Sequence, residues 1–327
     1  QSNPLSILDE SSVDEMATRL ISHRSNYLRI PSNYIRPPSE RPSLSEPALS
    51  DCVSVVDLRD LNGPSRQLVI QKIGKACQQD GFFQIINHGV PEAVISNMLE
   101  MAKEFFNMPI EYRQQFYSED PSRVVRLSTS FNVQKEDVYN WRDYLRHHCY
   151  PLEKYIDAWP SEPPAYREVV GKYCTEVRAL VLKLLAAISE SLGLEPDFVG
   201  KALGQHAQHM AINYYPRCPN PDLTFGLPAH SDPNALTVLL QGHVSGLQVL
   251  NNGIWCAVHP IPNAFVVNVG DQLQVLSNGI YRSGVHRAVV NSSEARISIP
   301  TFYCPAPDAV IEPALPLISD DNPARYK

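Results

Sequence analysis

The sequence contains no CxxC pair, no block of basic residues and no apolar run long enough to cross a bilayer. Its seven cysteines are scattered and odd in number, which is typical of free, mostly buried thiols in a reducing compartment. The net charge of −7 argues against a surface that follows nucleic-acid phosphates. The longest apolar helical run, ALVLKLLAAI, is interrupted by Lys183. We therefore expect a cytoplasmic protein that binds neither nucleic acid nor a membrane.

The chain has 327 residues, of which 43% are hydrophobic, so it can bury a substantial core. Residues 1–50 are expected to form an irregular N-terminal segment, because Pro and Ser are frequent between residues 31 and 50. Residues 51–204 read as an α/β region with strands at VSVVDL and FFQIINHG. Its first helix should end at Gly81, and its second should have Pro91 at the first helical position.

Short alternating strands dominate residues 205–327, where Gly, Pro and Asn separate runs such as HMAINYYP, ALTVLL, AFVVNVG and RISIPTFY. The sequence NNG at residues 251–253 is typical of a hairpin turn. Helices followed by many short strands predict a mainly β fold with flanking α-helices, in which a helical layer packs on an antiparallel sandwich or barrel. We expect the regions to pack as one globular unit and the protein to be a monomer.

The run LPAHSDPNALTVLL opens with two polar residues, His230 and Asp232, which would share one side of an extended backbone. A solvated strand end is one interpretation of this pattern. The other is a 2-His-1-carboxylate iron site, which needs a distant histidine as its third ligand. His286, in YRSGVHRAVV, is the best candidate for that ligand.

A second polar pattern, RIS, places the guanidinium of Arg296 and the hydroxyl of Ser298 on one strand face. Arginine binds carboxylates through two parallel hydrogen bonds, and a neighbouring hydroxyl adds another. Taken alone, RIS would indicate an ordinary ion pair in the core.

The motifs HSD, His286 and RIS occur in the order, and at roughly the spacing, of the plant iron(II)/2-oxoglutarate-dependent dioxygenases. The sequence resembles this family over nearly its whole length, including GFFQIINHGV, NYYPRCPNP and NVGDQLQVLSNG. Within the family, RLSTSFNV, NWRDYLRHHCYP and RISIPTFYCP are most similar to the downy-mildew-resistance oxygenases, a clade that includes salicylate hydroxylases. The resemblance implies a double-stranded β-helix, or jelly-roll, core.

The resemblance also implies roles for individual residues. His230, Asp232 and His286 match the ligands of Fe(II), and O₂ and ascorbate are the implied oxidant and reductant. Four further residues match the site for the co-substrate 2-oxoglutarate, in which the first two clamp its distal carboxylate: Arg296, Ser298, Tyr215 and Asn213.

The substrate is indicated less directly. WRDYLRHHCYP predicts a strand on which Tyr144 and Arg146 lie on the same side. The family resemblance implies that this side faces the substrate pocket. Arg146 suits a carboxylated aromatic, although it could instead reach the surface or pair with a nearby carboxylate. Phe302 and Phe131 could stack on an aromatic ring, and each could equally belong to the core. We expect a small planar phenolic substrate, salicylate-like first and a flavonoid second.

Two other classes of protein fit the motifs. One is an oxidase of the same fold that uses iron without 2-oxoglutarate, and the other is a non-catalytic β-sandwich that binds a ligand. A nucleic-acid demethylase is disfavoured by the acidic composition.

Overall fold

The structure, a computed structural model, describes residues 19–23, 27–42 and 53–326. Part of the predicted irregular segment of residues 1–50 lies outside the described residues. Cys52 also lies outside them. Within the described part of that segment, the regular structure consists of three short 3₁₀ helices: Ile21–His23, Ser32–Tyr34 and Pro38–Glu40. The division of the chain at residues 51 and 205 stays a prediction.

The strands of the described residues form two sheets. In chain order they are β1 (Ser54–Asp57), β2 (Phe82–Ile86), β3 (Val125–Thr129), β4 (Asp143–Tyr150), β5 (Ala207–Tyr215), β6 (Leu227–His230), β7 (Leu236–Leu240), β8 (Leu247–Asn251), β9 (Ile254–Ala257), β10 (Phe265–Val269), β11 (His286–Ala288) and β12 (Arg296–Cys304). The large sheet has the order β1-β2-β10-β7-β12-β5-β4-β3, and the small sheet has the order β6-β11-β8-β9.

The α-helices of the described residues are α1 (Arg66–Gln79), α2 (Glu92–Asn107), α3 (Ile110–Arg113), α4 (Leu152–Tyr155), α5 (Tyr166–Ser191), α6 (Phe198–Ala202) and α7 (Asp271–Leu276). Further 3₁₀ helices span Arg59–Asn62, Gln114–Phe116, Ile156–Ala158, Pro221–Leu223 and Leu315–Leu317. None of the described helices, including the 26-residue α5, has both the length and the apolar character of a bilayer span.

The large sheet is buried on both faces, which explains why its central strands are apolar at nearly every position. Val238 and Val267 belong to the core shared with the long helices, whereas the alternate residues Leu239 and Val266 pack with Val249 of the small sheet. Successive side chains point to opposite faces of a strand, so one strand serves both cores. The molecule is therefore a helical layer on a two-sheet sandwich, as the sequence predicts.

Two local predictions about glycine are confirmed. Asn252 and Gly253 both have positive φ, 49° and 82°, and form the two-residue turn between β8 and β9. Gly81 follows α1 with a φ of +68°, and a Cβ there would lie 2.1 Å from the carbonyl oxygen of Arg282. Only glycine fits this position, because both the backbone conformation and the close approach exclude a side chain.

Two other predictions were wrong in detail. The second helix begins at Glu92, with Pro91 before it in an extended conformation whose carbonyl accepts the amide of Val94. Proline is compatible with either position because its missing N–H is not needed at a helix start. The expectation of free thiols holds for Cys77, Cys149, Cys174, Cys218 and Cys304. Cys256, in contrast, is disulfide-bonded, which a scattered cysteine pattern does not reveal.

Candidate active site

A cavity of about 490 Å³ lies between the two sheets. Its wall includes residues of β3, β4, β5, β7 and β12 from the large sheet and of β6, β8 and β11 from the small one. All eleven residues that the sequence singled out line this cavity: Asn213, Tyr215, His230, Asp232, His286, Arg296, Ser298, Phe131, Tyr144, Arg146 and Phe302. The fold thus gathers residues that are up to 171 positions apart.

Three side chains at one point of the cavity form a possible metal centre. His230 ends β6 and His286 begins β11, and the two residues are direct cross-strand partners. Nε2 of each imidazole lies 3.6 Å from Oδ1 of Asp232. Asp232 itself lies beyond the end of β6, which corrects the expectation that it shares an extended strand with His230. The three side chains nevertheless converge, with ligand atoms within 4.8 Å of one another.

Backbone carbonyl groups determine which nitrogen of each imidazole is free. Nδ1 of His230 lies 2.9 Å from the oxygen of Pro228, and Nδ1 of His286 lies 3.1 Å from the oxygen of Gly284. A carbonyl oxygen can only accept, so both Nδ1 atoms carry the proton and both Nε2 lone pairs face the common point. Burial, together with the neighbouring His286, lowers the pKa of His230 to about 4. His230 is therefore neutral at pH 7, as a metal ligand must be.

Hydrogen bonds also orient the carboxylate of Asp232. Its Oδ2 atom accepts hydrogen bonds from Oγ1 of Thr237 at 2.6 Å and from Nδ2 of Asn268 at 2.8 Å. Oδ1 is therefore left to face the imidazoles. Burial opposes ionisation of Asp232, but His286 and these two donors outweigh it and hold the pKa of Asp232 below its ordinary value. The residue thus offers one anionic oxygen to the common point.

A buried guanidinium occupies another part of the cavity. Arg296 is 2% exposed, and burial lowers its pKa. Its Nε donates to the carbonyl of Val244 at 3.1 Å, and a Cβ at Gly246 would lie only 2.8 Å from its side chain. Among the described residues, no carboxylate forms an ion pair with Arg296, so the core ion pair that RIS also allowed is absent from this part of the chain. An unpaired buried cation is costly, and an anionic ligand would neutralise it.

Strand register explains why the other predicted co-substrate residues lie beside Arg296. On β12 and β5, Arg296 is opposite Tyr215 and Ser298 is opposite Asn213. The guanidinium lies 5.2 Å from the centre of the Tyr215 ring, and Nδ2 of Asn213 donates to Oγ of Ser298 at 3.3 Å. These four residues form one polar patch on the cavity wall.

The wall formed by β3, β4 and the residue before β4 carries three arginines and one tyrosine. Arg126 donates to the hydroxyl of Tyr144, and the guanidinium of Arg142 lies 4.6 Å from the centre of the same ring. Arg142 also donates twice to the carbonyl of Ser130, at 3.1 and 2.7 Å. Arg146 lines the cavity as expected and has no carboxylate partner among the described residues. This wall is strongly cationic.

Comparison with known proteins relates this geometry to a family. The profile of the 2OG-Fe(II) oxygenase superfamily matches residues 206–305, and the profile described as "non-haem dioxygenase in morphine synthesis N-terminal" matches residues 53–164. Protein DMR6-LIKE OXYGENASE 1 of Arabidopsis thaliana is 56% identical over 94% of this chain and 89% of its own length. Flavanone 3-dioxygenase 2 of Oryza sativa subsp. japonica is 54% identical, over 91% and 86% respectively. The chain belongs to the 2OG-Fe(II) oxygenase superfamily.

A solved structure supports the same conclusion. The crystal structure of JOX2 in complex with 2OG, Fe and JA has a TM-score of 0.84 and 36% identity, and the alignment covers 96% of this chain and 89% of that one. The predicted jelly-roll fold and the resemblance to the downy-mildew-resistance clade are confirmed. The chain is thus a 2-oxoglutarate-dependent dioxygenase, which sets aside both the non-catalytic sandwich and the oxidase without 2-oxoglutarate.

The family requires Fe(II), 2-oxoglutarate and O₂, and the cavity fits these groups. Two neutral imidazole nitrogens and one carboxylate oxygen are the donor set of non-haem iron(II) oxygenases. Bound iron(II) supplies the oxidation chemistry with O₂, while the protein positions the reactants and excludes water. The unpaired guanidinium of Arg296 fits the carboxylate of a keto acid.

Sequence reasoning missed several side chains that line this cavity: Arg126, Arg142, Thr237, Asn268 and Arg287. Arg126 could have been found from the sequence, because VRLS has the same Arg-x-Ser spacing as RIS. The two motifs lie on different strands of the same sheet. Thr237 and Asn268 had no such signal, because they occur in ordinary apolar strands and their hydrogen bonds to Asp232 depend on the tertiary fold.

Proposed function

We propose that this dioxygenase hydroxylates, or desaturates, a small planar aromatic acid, with a salicylate-like phenolic acid as the first candidate. In this proposal, His230, Asp232 and His286 bind iron(II), because their free Nε2 and Oδ1 atoms face one point. Asp232 contributes the negative charge that Thr237 and Asn268 orient.

The co-substrate is proposed to extend from the iron centre toward Arg296, which pairs with its distal carboxylate. Ser298 and Tyr215 lie next to this guanidinium in the strand register and supply hydroxyl groups to the same carboxylate. Asn213 holds Ser298 by a hydrogen bond and lines the same patch. Burial strengthens this recognition, since a charged hydrogen bond is worth more away from water.

The cationic wall around Tyr144 carries the proposal for the substrate. Arg126 and Arg142 lie over the tyrosine ring, and both line the cavity together with Arg146. A substrate with a carboxylate would neutralise this wall, whereas a neutral substrate would leave its charges unpaired. Aromatic side chains at Tyr144, Phe302 and Phe131 offer surfaces for a planar ring.

A flavonoid is the second candidate. The rice relative named flavanone 3-dioxygenase 2, with 54% identity, supports it. A cavity of about 490 Å³ is within the range that accepts small-molecule ligands, so size does not separate the two candidates. The arginines favour the acid.

Three further predictions belong to this proposal. One chain supplies the described lining of the cavity, so we propose that a monomer is active. A cytoplasmic location and ascorbate as reductant stay predictions, as does the division into residues 51–204 and 205–327.

The proposal is tested by turnover of a panel of phenolic acids, flavanones and indoles with iron(II), 2-oxoglutarate and O₂. Gain of one oxygen atom, or loss of two hydrogens, by a phenolic acid should match succinate formation one to one. His230→Ala should abolish this coupling, and His259→Ala is the matched control because His259 is exposed and outside the cavity. Coupled turnover of neutral flavanones alone would contradict the first candidate.

A further inference from the structure

We infer that Arg126 and Arg146 together form an anion subsite that binds the carboxylate of the substrate and selects acids over their neutral analogues. The inference rests on the proposed function for the aromatic part of the ligand. It narrows the cationic wall of three arginines to the pair Arg126 and Arg146, and it assigns selection of the acid to this pair.

Strand pairing places the two arginines side by side. Arg126 of β3 and Arg146 of β4 are direct partners in the antiparallel register, and both line the cavity. Like charges directly opposite each other destabilise a sheet. The pair therefore costs stability in the ligand-free protein unless an anion lies between the two guanidinium groups.

The described residues supply no such anion. Neither arginine forms an ion pair with a carboxylate of the described part of the chain. The Nε atoms of both are buried without a hydrogen-bond partner, and Arg126 is only 8% exposed. The carboxylate of Asp120 interacts with both at longer range, but it is fully exposed to solvent and so is strongly screened. Burial, and then Arg126, lower the pKa of Arg146.

Some N–H donors of each guanidinium bind the protein and fix the side chain, and the remaining N–H donors are available to a ligand. Arg126 donates Nη2 to the hydroxyl of Tyr144, above whose ring it lies at 5.4 Å. Arg146 donates Nη2 to the carbonyls of Pro121 and Arg123, at 2.6 and 3.1 Å. Arginine carries five N–H donors, so donors remain on both side chains. Fixed orientation lowers the entropy cost of binding a carboxylate.

Arg142 does not complete the same subsite. Its Nε and Nη2 donate to the carbonyl of Ser130, and its Nη1 donates to Oδ1 of Asn213 at 3.3 Å. All three nitrogens of the Arg142 guanidinium therefore already donate hydrogen bonds to the protein. This contrast singles out the pair on β3 and β4.

The subsite is separate from the patch around Arg296. In the large sheet, β4 and β3 are two and three strands away from β12, which corresponds to roughly 10 Å and 14 Å across the sheet. We therefore assign the carboxylate bound by Arg296 and the carboxylate bound by Arg126 and Arg146 to two different ligands, the co-substrate and the substrate. Tyr144 lies between the two positions, opposite Asn213, where it can contact the ring of the substrate.

The test measures binding without turnover. Salicylate and salicylamide are titrated calorimetrically into the anaerobic protein with iron(II) and saturating 2-oxoglutarate, so that the site at Arg296 is filled. We expect Arg126→Gln to weaken salicylate binding ten- to hundredfold and to leave salicylamide binding unchanged. Arg123→Gln is the charge-matched control, because its side chain is exposed and outside the cavity and its backbone carbonyl is retained.

Thermal unfolding separates binding from a structural role. Arg126→Gln should not lower the melting temperature of the ligand-free protein, because it removes one of two facing positive charges. Equal loss of acid and amide binding, no loss of either, or no preference of the unaltered protein for the acid would each overturn the inference. Binding that depends on Arg126, combined with no oxidised product once O₂ is admitted, would instead refute the proposed function alone.

Discussion

Thr237→Val tests whether the protein orients the carboxylate of Asp232 for metal binding. The substitution keeps the shape of the side chain and removes the hydroxyl that donates to Oδ2 of Asp232 at 2.6 Å. Both residues are buried, so water cannot replace the lost donor without entering the core. Asn268 remains as the second donor, and for this reason we expect a weakened site and not an unfolded protein.

The expected magnitude follows from the type of hydrogen bond. A hydrogen bond to a charged group contributes about 1.5–3 kcal/mol, and loss of a group that orients a metal ligand weakens metal binding roughly 10- to 100-fold. We therefore predict a 10- to 100-fold weaker affinity for iron(II) in Thr237→Val. The affinity for 2-oxoglutarate at saturating iron should change less, because Arg296 is untouched.

The assay is an anaerobic titration of iron(II), followed by the visible charge-transfer band that forms with 2-oxoglutarate. Thr237→Ser restores the hydroxyl and should restore most of the affinity. Equal iron affinity in the valine variant and the unaltered protein would refute the argument that this hydroxyl orients Asp232. Equal weakening in the serine and valine variants would point to packing instead.

Three further substitutions test other parts of the structure. Arg296→Met should weaken 2-oxoglutarate binding roughly 100-fold in calorimetry, which corresponds to about 2.8 kcal/mol. It should not lower the melting temperature of the ligand-free protein, because it removes a buried charge that has no carboxylate partner among the described residues. A large loss of stability would contradict this. Burial lowers the pKa of His147 to about 3. Below pH 6.5 the unfolded chain therefore binds a proton at His147 that the folded protein does not bind, and the free energy of unfolding should fall by about 2 kcal/mol between pH 6.5 and pH 5. His147→Phe should reduce this pH dependence in urea unfolding, and an unchanged slope would show that His147 is not the cause. Gly81→Ala should cost roughly 2–4 kcal/mol in urea unfolding, because the residue has a φ of +68° and its Cβ would meet Arg282; a cost under 1 kcal/mol would contradict the close approach.

The sequence was sufficient to predict the sandwich, its helical layer and eleven of the residues that line the cavity. Patterns of period two placed Arg296 and Ser298 on one face, and strand pairing then brought Tyr215 and Asn213 opposite them. The shared face of Arg296 and Ser298 could be predicted because a side chain's face on a strand depends only on local backbone geometry. Tyr215 and Asn213 were implied by the family resemblance alone.

Features that depend on contacts between distant segments could not be predicted. Asp232 lies past its strand, yet it is oriented by Asn268, which is 36 residues away. Arg146 is held by carbonyls of Pro121 and Arg123, in a segment with no periodic pattern. The disulfide at Cys256 likewise depends on which segments the fold brings together.

The central claim is that one cavity holds iron(II) at His230, Asp232 and His286 and the keto acid at Arg296. The most direct measurement is a crystal structure grown without O₂, with iron(II) and 2-oxoglutarate, in which anomalous scattering locates the metal. The account predicts an iron peak bonded to Nε2 of both histidines and to Oδ1 of Asp232, with the distal carboxylate of 2-oxoglutarate paired to the guanidinium of Arg296. An iron peak elsewhere, or a co-substrate whose carboxylate avoids Arg296, would contradict it.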